Sequence, residues 1–278
     1  MADNRLKIRK IIKKALFGLL LLVIMVPILF PLYFVFISSF KNMAQVYIMP
    51  PKLIGFQPIF DNYIYIFKTQ NYGTYMINST IVAAASTALS LLFGVPAAYV
   101  IARYKMTKAS TGILVARLLP NISILLPYYF IFSRLHMIDT YGVLIISHMV
   151  LSMPLIVWIM TGFFSDIPLE LEEAAIVDGC TRQKCFTSVI LPVCTPGLVT
   201  CSTLSFLGSW NNFQFAMILS GEKTRTLPVS LQYFVSGADI RWGRMMAATI
   251  VVIVPTIILT MILQKYIVQG MTAGAVKG

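Results

Sequence analysis

Six stretches of this chain run for roughly 20 residues or more with almost no charge, the length at which a helix crosses about 30 Å of hydrocarbon. They are Leu16–Phe40, Tyr75–Ala102, Gly112–Phe132, Tyr141–Phe164, Thr195–Leu219 and Met245–Gln264. Backbone in lipid has no water to bond with, so a spanning segment is either a helix or a strand of a closed barrel. None of the six alternates apolar with polar residues as a barrel strand does. Composition agrees: 58% of the 278 residues are hydrophobic and 12% charged, where a soluble domain carries about a quarter of its residues as charge. The expectation is an all-α integral membrane protein with six transmembrane helices.

The first run follows Arg5, Lys7, Arg9, Lys10, Lys13 and Lys14. A secretory leader also begins with basic residues, but this run outlasts a leader's apolar core and no small-residue cleavage pattern follows it, so a retained anchor is expected. Lys and Arg collect on the cytoplasmic side of membrane proteins. The basic start therefore places the N-terminus inside. Alternation through six spans then puts 13 of the 22 Lys and Arg inside, 8 outside and Arg117 within a span. The formal net charge of +12 reflects this bias and an attraction to anionic lipid, and requires no nucleic acid. The chain divides into a basic cytoplasmic tail at 1–14, a first transmembrane helix at 15–40, an outer loop with an aromatic interfacial segment at 41–73, a membrane domain at 74–268 and a cytoplasmic tail at 269–278.

Within the membrane domain, the connection at 165–194 is the longest on the cytoplasmic side and holds Glu170, Glu172 and Glu173, three of the chain's ten acids. Pro168 suits a first helical turn, and acids just after it complement the positive end of the helix dipole. Leu171, Ala174, Ala175 and Asp178 share a face at i, i+3, i+4, i+7 spacing, with alanines that let another surface come close. Gly179 can take the left-handed conformation that ends a helix, and Thr181 can cap a second helix running to about Val189, ahead of Pro192. The segment reads as a short helix–turn–helix on the cytoplasmic face, shaped to meet a partner.

Glu173-Ala174-Ala175, three residues, Gly179, nine residues, Val189, one residue, then Leu191-Pro192 resembles the EAA loop of bacterial ABC-importer permeases; Val189 stands where that family has Ile. "SWNNF" at Ser209–Phe213, "DTYG" at Asp139–Gly142, "NS" at Asn78–Ser79 and the C-terminal "QGMTAGAVKG" resemble the carbohydrate branch, specifically the smaller permease subunit of maltose-type importers. The resemblance implies a type I ABC-importer permease fold in a bacterial inner membrane, with both termini cytoplasmic. It implies four kinds of partner: a second homologous permease, two ATP-binding subunits, an extracellular or periplasmic solute-binding protein and membrane lipid. It implies a carbohydrate, most simply an oligosaccharide, as the solute. Glu172, Glu173, Ala174, Ala175, Asp178, Gly179, Leu191 and Pro192 would then dock on the ATPase, and Gly274, Lys277 and Gly278 would reach towards it. ATP and magnesium belong on that partner: no G-x-x-x-x-G-K-[ST] occurs in this sequence, so this chain is not expected to be an enzyme.

Trp210, Asn211, Asn212 and Gln214 cluster in the fifth run. Amides at lipid depth are costly unless they pair or line an aqueous path, and amides beside an aromatic ring suit a sugar's hydroxyls and apolar ring face. Bonding between helices is the plainer use of the same groups. His136 and His148 stand alone, without metal-ligand spacing, and Cys180, Cys185, Cys194 and Cys201 show no C-x-x-C, so neither a catalytic pair nor a metal centre is expected. An ABC permease for a charged solute such as an amino acid, peptide or phosphate ester is the alternative. An ion-coupled transporter would favour acids within the spans, which hold none, and a membrane scaffold would not need the spaced loop pattern.

Overall fold

The computed structural model describes residues 2–235 and 241–273, and among them secondary structure is helical throughout. In chain order the helices are α1 (Ala2–Ser39), the single turn α2 (Met43–Val46), α3 (Asp61–Lys68), α4 (Tyr72–Arg103), α5 (Thr107–Leu118), α6 (Asn121–Arg134) and α7 (Tyr141–Asp166). The connection after α7 holds α8 (Leu169–Val177), α9 (Arg182–Cys185), a π-helical turn Phe186–Ile190 and α10 (Leu191–Val193). Then come α11 (Thr195–Trp210), α12 (Gln214–Leu219), α13 (Leu227–Ser230), a 3-10 turn Leu231–Phe234 and α14 (Trp242–Ala273).

Among the described residues four segments are long and apolar enough to cross a membrane unbroken: Ile12–Ser39, Tyr72–Arg103, Tyr141–Asp166 and Trp242–Ile262. The other two apolar runs are broken. The third, read above as one span over Gly112–Phe132, is α5 and α6 meeting at 89°. Pro120 is the cause: it has no N–H for the ladder and pushes Leu119 into extended backbone, with ψ 129°. The fifth, read as one span over Thr195–Leu219, stops at Trp210 and resumes at Gln214, and α11 itself joins the α9–α10 segment at a 78° bend. Helix also extends through both segments assigned as tails, from Ala2 through the basic stretch and out to Ala273. Lys, Arg, Leu and Ile are sound helix formers, so basic sequence ahead of an apolar run simply lengthens its helix.

Two compact units can be distinguished. One comprises Met1–Asn71 with Leu231–Val251. In it α1 is bare all round from Ile12 to Tyr33, the surface of a helix meant for lipid or another chain. Below α1, the Asn62 amide donates to the Ser39 and Lys41 carbonyls at 2.8 and 2.9 Å, pinning α3 under the end of α1. The buried Lys41 ammonium donates to the Lys52 carbonyl and lies 4.8 Å from the Phe56 ring centre, and burial lowers its pKa.

The other unit, Tyr72–Ser230 with Val252–Gly278, is built on α4 and α7, which run parallel, with Asn78 bonded to Tyr141 at one end and Arg103 to Ile167 at the other. At the 103/167 end its core joins Val95, Ala98, Ile156, Met160 and Phe164 to Ala175, Cys185, Ile190 and Cys194 of the long connection. At the other end Val82, Val143 and Leu144 pack with Phe215, Ala216 and Leu219 of α12. Small residues permit the close crossings: a Cβ on Gly197 would lie 2.8 Å from the Phe163 ring. Between the two cores Ser209 bonds to the His148 imidazole at 2.7 Å and accepts from the Ser86 hydroxyl at 3.1 Å, linking α11 to α7 and α4.

Candidate functional site

The long connection is part of the core on one side and open on the other. α8 begins directly after Pro168, with Glu170 and Glu172 in its first turn, and ends at Gly179, whose φ of +88° is the left-handed backbone glycine accepts without strain. Thr181 then accepts from the Lys184 N–H at 3.3 Å and starts α9. The second helix does not stop near Val189. Its middle is wound as a π turn, with the Leu191 N–H reaching back to the Phe186 carbonyl, and helix continues through Pro192 to Val193. The wide turn interrupts the normal ladder just where a proline has no N–H to give.

The residues expected to share one docking face divide between two. Ala175 is buried, packed with α4 and α7. The Glu172 carboxylate accepts from the Tyr99 hydroxyl at 2.8 Å and is ion-paired to the Arg103 guanidinium, with the two charged side chains only 10% and 13% exposed. Arg103 also donates to the Ile167 carbonyl at 3.1 Å. Helical spacing explains the split, since Leu171 and Ala174 lie round the helix from the inward line of 172 and 175. Glu173, Ala174, Asp178, Gly179 and Pro192 are exposed, and Leu191 is half-buried against the core. Val177 and Ile176, which face outward beside Ala174, went unnoticed in the sequence; they are 86% and 47% exposed. Their signal was two aliphatic residues next to an acid on a loop. Arg103 and Tyr99 were also missed, since in the sequence one is a charge at the end of an apolar run and the other an aromatic within it. Gly274, Lys277 and Gly278 lie outside the described residues.

The amide cluster makes the break in the fifth run. Asn211 closes α11, its side chain donating to the Leu207 carbonyl at 3.0 Å, while the Asn212 side chain accepts from the Phe215 N–H at 3.1 Å and opens the next helix. Trp210 is buried, stacked on Phe206 at 5.9 Å with its indole N–H towards the Val252 carbonyl at 3.4 Å. Asn211 and Gln214 are exposed.

At the 72/141 end a third polar group forms. Asp139 has a φ of +58°, and its carboxylate accepts from the Gly221 and Thr224 N–H groups at 2.8 and 2.9 Å, from the Thr224 hydroxyl at 2.8 Å and from the Lys223 N–H at 3.2 Å. Burial would raise its pKa, but these donors outweigh that and hold the carboxyl below its ordinary value. The Asn78 amide donates to the Lys223 and Arg225 carbonyls and accepts from the Tyr141 hydroxyl, and Ser79 accepts from the Leu227 N–H. The "NS" and "DTYG" signatures are thus two halves of one clasp on the segment after α12.

Comparison with known proteins places this architecture. The profile of a family described as "Binding-protein-dependent transport system inner membrane component" matches residues 90–273. The sulfoquinovosyl glycerol transport system permease protein of Agrobacterium fabrum is 34% identical over 260 residues, covering 92% of this chain and 91% of that protein. The trehalose/maltose transport system permease protein of Thermococcus litoralis is 33% identical over 259 residues, 90% of this chain and 92% of that protein. In fold, a chain from the crystal structure of a bacterial ABC transporter involved in the import of the acidic polysaccharide alginate is similar at a TM-score of 0.78 and 21% identity, covering 92% of this chain and 96% of that chain.

Proposed function

The chain belongs to the binding-protein-dependent transport inner membrane component family, and from that premise we propose that it is the permease subunit of an ATP-driven importer moving a carbohydrate across a bacterial cell membrane. The observation that carries this is α8: one side is tied into the bundle and the other offers Glu173, Ala174, Ile176, Val177 and Asp178 to a partner. An exposed apolar patch rimmed by acid marks an interaction surface. That partner is an ATP-binding subunit, two copies of which hold ATP and magnesium and serve this chain and a second homologous permease. The sugars named for the two relatives support a carbohydrate solute, delivered by a solute-binding protein. The four unbroken helices and two bent pairs make six crossings, with the α8 end and both termini in the cytoplasm. Asn211 and Gln214 are the amides placed to meet the solute, while Trp210 and Asn212 shape the break that presents them.

The test is co-purification from membranes. The wild-type tagged chain is expected to bring an ATP-binding subunit with it, and Ala174→Arg or Val177→Glu to insert normally and lose it. A wild-type chain that captures none, or variants that keep it, would count against the coupling role of α8.

A further inference from the structure

The ion pair between α8 and α4 asks for an explanation that stability does not provide. Ala175, Cys185, Ile190 and Cys194 already bury the inner side of the connection, and a buried ion pair is on its own weak evidence for stability, since apolar replacements often do as well. The Arg103 guanidinium even leaves Nη2 buried without an acceptor. What the pair supplies is geometry. Tyr99 and Arg103 are one helical turn apart on α4 and each holds one oxygen of the same carboxylate. A carboxylate gripped at both oxygens cannot pivot as one held at a single point can. The Tyr99 ring wedges the joint, 5.5 Å from Phe164 of α7 and 4.8 Å from Phe186 of the π turn, with the Arg103 guanidinium 5.7 Å from its face. Arg103 also holds the Ile167 carbonyl, where α7 turns into the connection. Four elements meet in this junction.

We propose that Glu172, Arg103 and Tyr99 are positioning residues that make α8 and the end of α4 move as one body, so that displacement of α8 by its partner is delivered to the transmembrane bundle. This rests on the functional reading above. Interfaces that carry large motions need stiff links between the site pushed and the element moved.

The experiment uses the complex of this chain with its co-purifying ATP-binding subunit. Spin labels at Leu92→Cys on α4 and Glu170→Cys on α8, both exposed positions, report their separation with and without ATP and vanadate, in a background where Cys180, the native cysteine that is not buried, is replaced. In the otherwise wild-type chain the distance distribution is expected to stay the same on adding nucleotide. In Glu172→Gln and Arg103→Gln, with the ATP-binding subunit still bound, it is expected to broaden and shift with nucleotide only. The exchanged pair Arg103→Glu with Glu172→Arg restores the ion pair but neither the Tyr99 nor the Ile167 hydrogen bond, and is expected to recover part of the wild-type response. Single variants that behave as wild type, a wild-type pair that itself shifts, or an exchanged pair no better than the singles would overturn the proposal. Should the charge variants fail to insert, Tyr99→Phe decides, because it removes one hydroxyl and keeps the packed ring: a nucleotide-dependent broadening supports the junction, an unchanged distribution overturns it. Failure of the wild-type chain to capture an ATP-binding subunit is a different result, and sinks the functional reading instead.

Discussion

Asp139 concentrates four donors on one carboxylate, three of them backbone N–H groups that would otherwise lack partners in an irregular segment. Its folded pKa is depressed, so its contribution to stability is complete above the ordinary value of 3.8 and is lost as pH falls through the lower folded value. Asp139→Asn replaces an acceptor that serves all four donors by one that serves fewer, a loss of about 1–3 kcal/mol at neutral pH. In detergent-solubilised protein the wild type's thermal-unfolding advantage over this variant is expected to hold down to about pH 5 and to shrink below about pH 4. An advantage that stays constant across that range would mean the carboxylate is not held as its geometry indicates. Gly179 makes a different kind of residue-scale demand, since its φ of +88° excludes an ordinary side chain without any steric neighbour being involved. Gly179→Ala is expected to cost about 1 kcal/mol and Gly179→Asn less, because asparagine tolerates left-handed backbone. Equal losses in the two variants would point to contacts, not backbone, as the cause.

At the scale of elements, α8 is a short helix whose two sides have different jobs, and substitution by position should separate them. Ala175→Leu forces three carbons into a core already holding Ile190 and Phe164, an overpacking cost of about 1–3 kcal/mol that lowers the melting temperature. Ala174→Leu, one residue away and exposed, is expected to leave that temperature unchanged. If both variants melt alike, the division of the helix into an inner and an outer side is wrong. Much of this element was legible in the sequence: the start after Pro168, the stop at Gly179 and the cap at Thr181 are local chemistry that nearby residues decide. The inward turn of Glu172 and Ala175 was not, because it depends on Tyr99 and Arg103, roughly seventy residues away in the chain, as their sequence separations of 73 and 69 from Glu172 show. The same limit applies to the apolar runs. Hydropathy reports how long a segment avoids charge, and a proline or a pair of amides can bend or end a helix without adding any charge. Pro120 and Asn211-Asn212 therefore broke runs that their composition left whole. The clasp was visible only as two short signatures, "NS" and "DTYG", since the backbone they bind lies up to 148 residues further on.

At the scale of the molecule, the parallel course of α4 and α7 constrains the topology. Two parallel helices in one bundle need a segment between them that returns to the starting side, and the bent pair α5–α6 is the only stretch of described chain between them. It therefore has to carry the chain back along the bundle despite its 89° break, as the six crossings proposed above require. By the same reasoning α9 to α12 has to bring the chain back from the α8 end to the Asp139 end, where Leu219 accepts from the Asp139 N–H at 3.0 Å. These returns put Glu173 and Glu222 at opposite ends of the bundle. The basic residues Arg103, Lys105 and Lys108 stand at the Glu173 end, in keeping with the cytoplasmic side proposed for it above. Single cysteines at Glu173→Cys and Glu222→Cys, with Cys180 replaced, test this through a thiol reagent that does not cross membranes. On intact cells with a permeable outer envelope, the Glu222→Cys chain is expected to react and the Glu173→Cys chain to react only after the inner membrane is opened. Reaction of both from outside would mean that the α9–α12 stretch between the two sites turns back without crossing, and the reverse pattern would mean that α5–α6 does not cross or that the whole chain is inverted in the membrane. The first outcome would also remove α8 from the compartment where ATP-binding subunits reside, so this measurement bears on the bundle and on the proposed partner together.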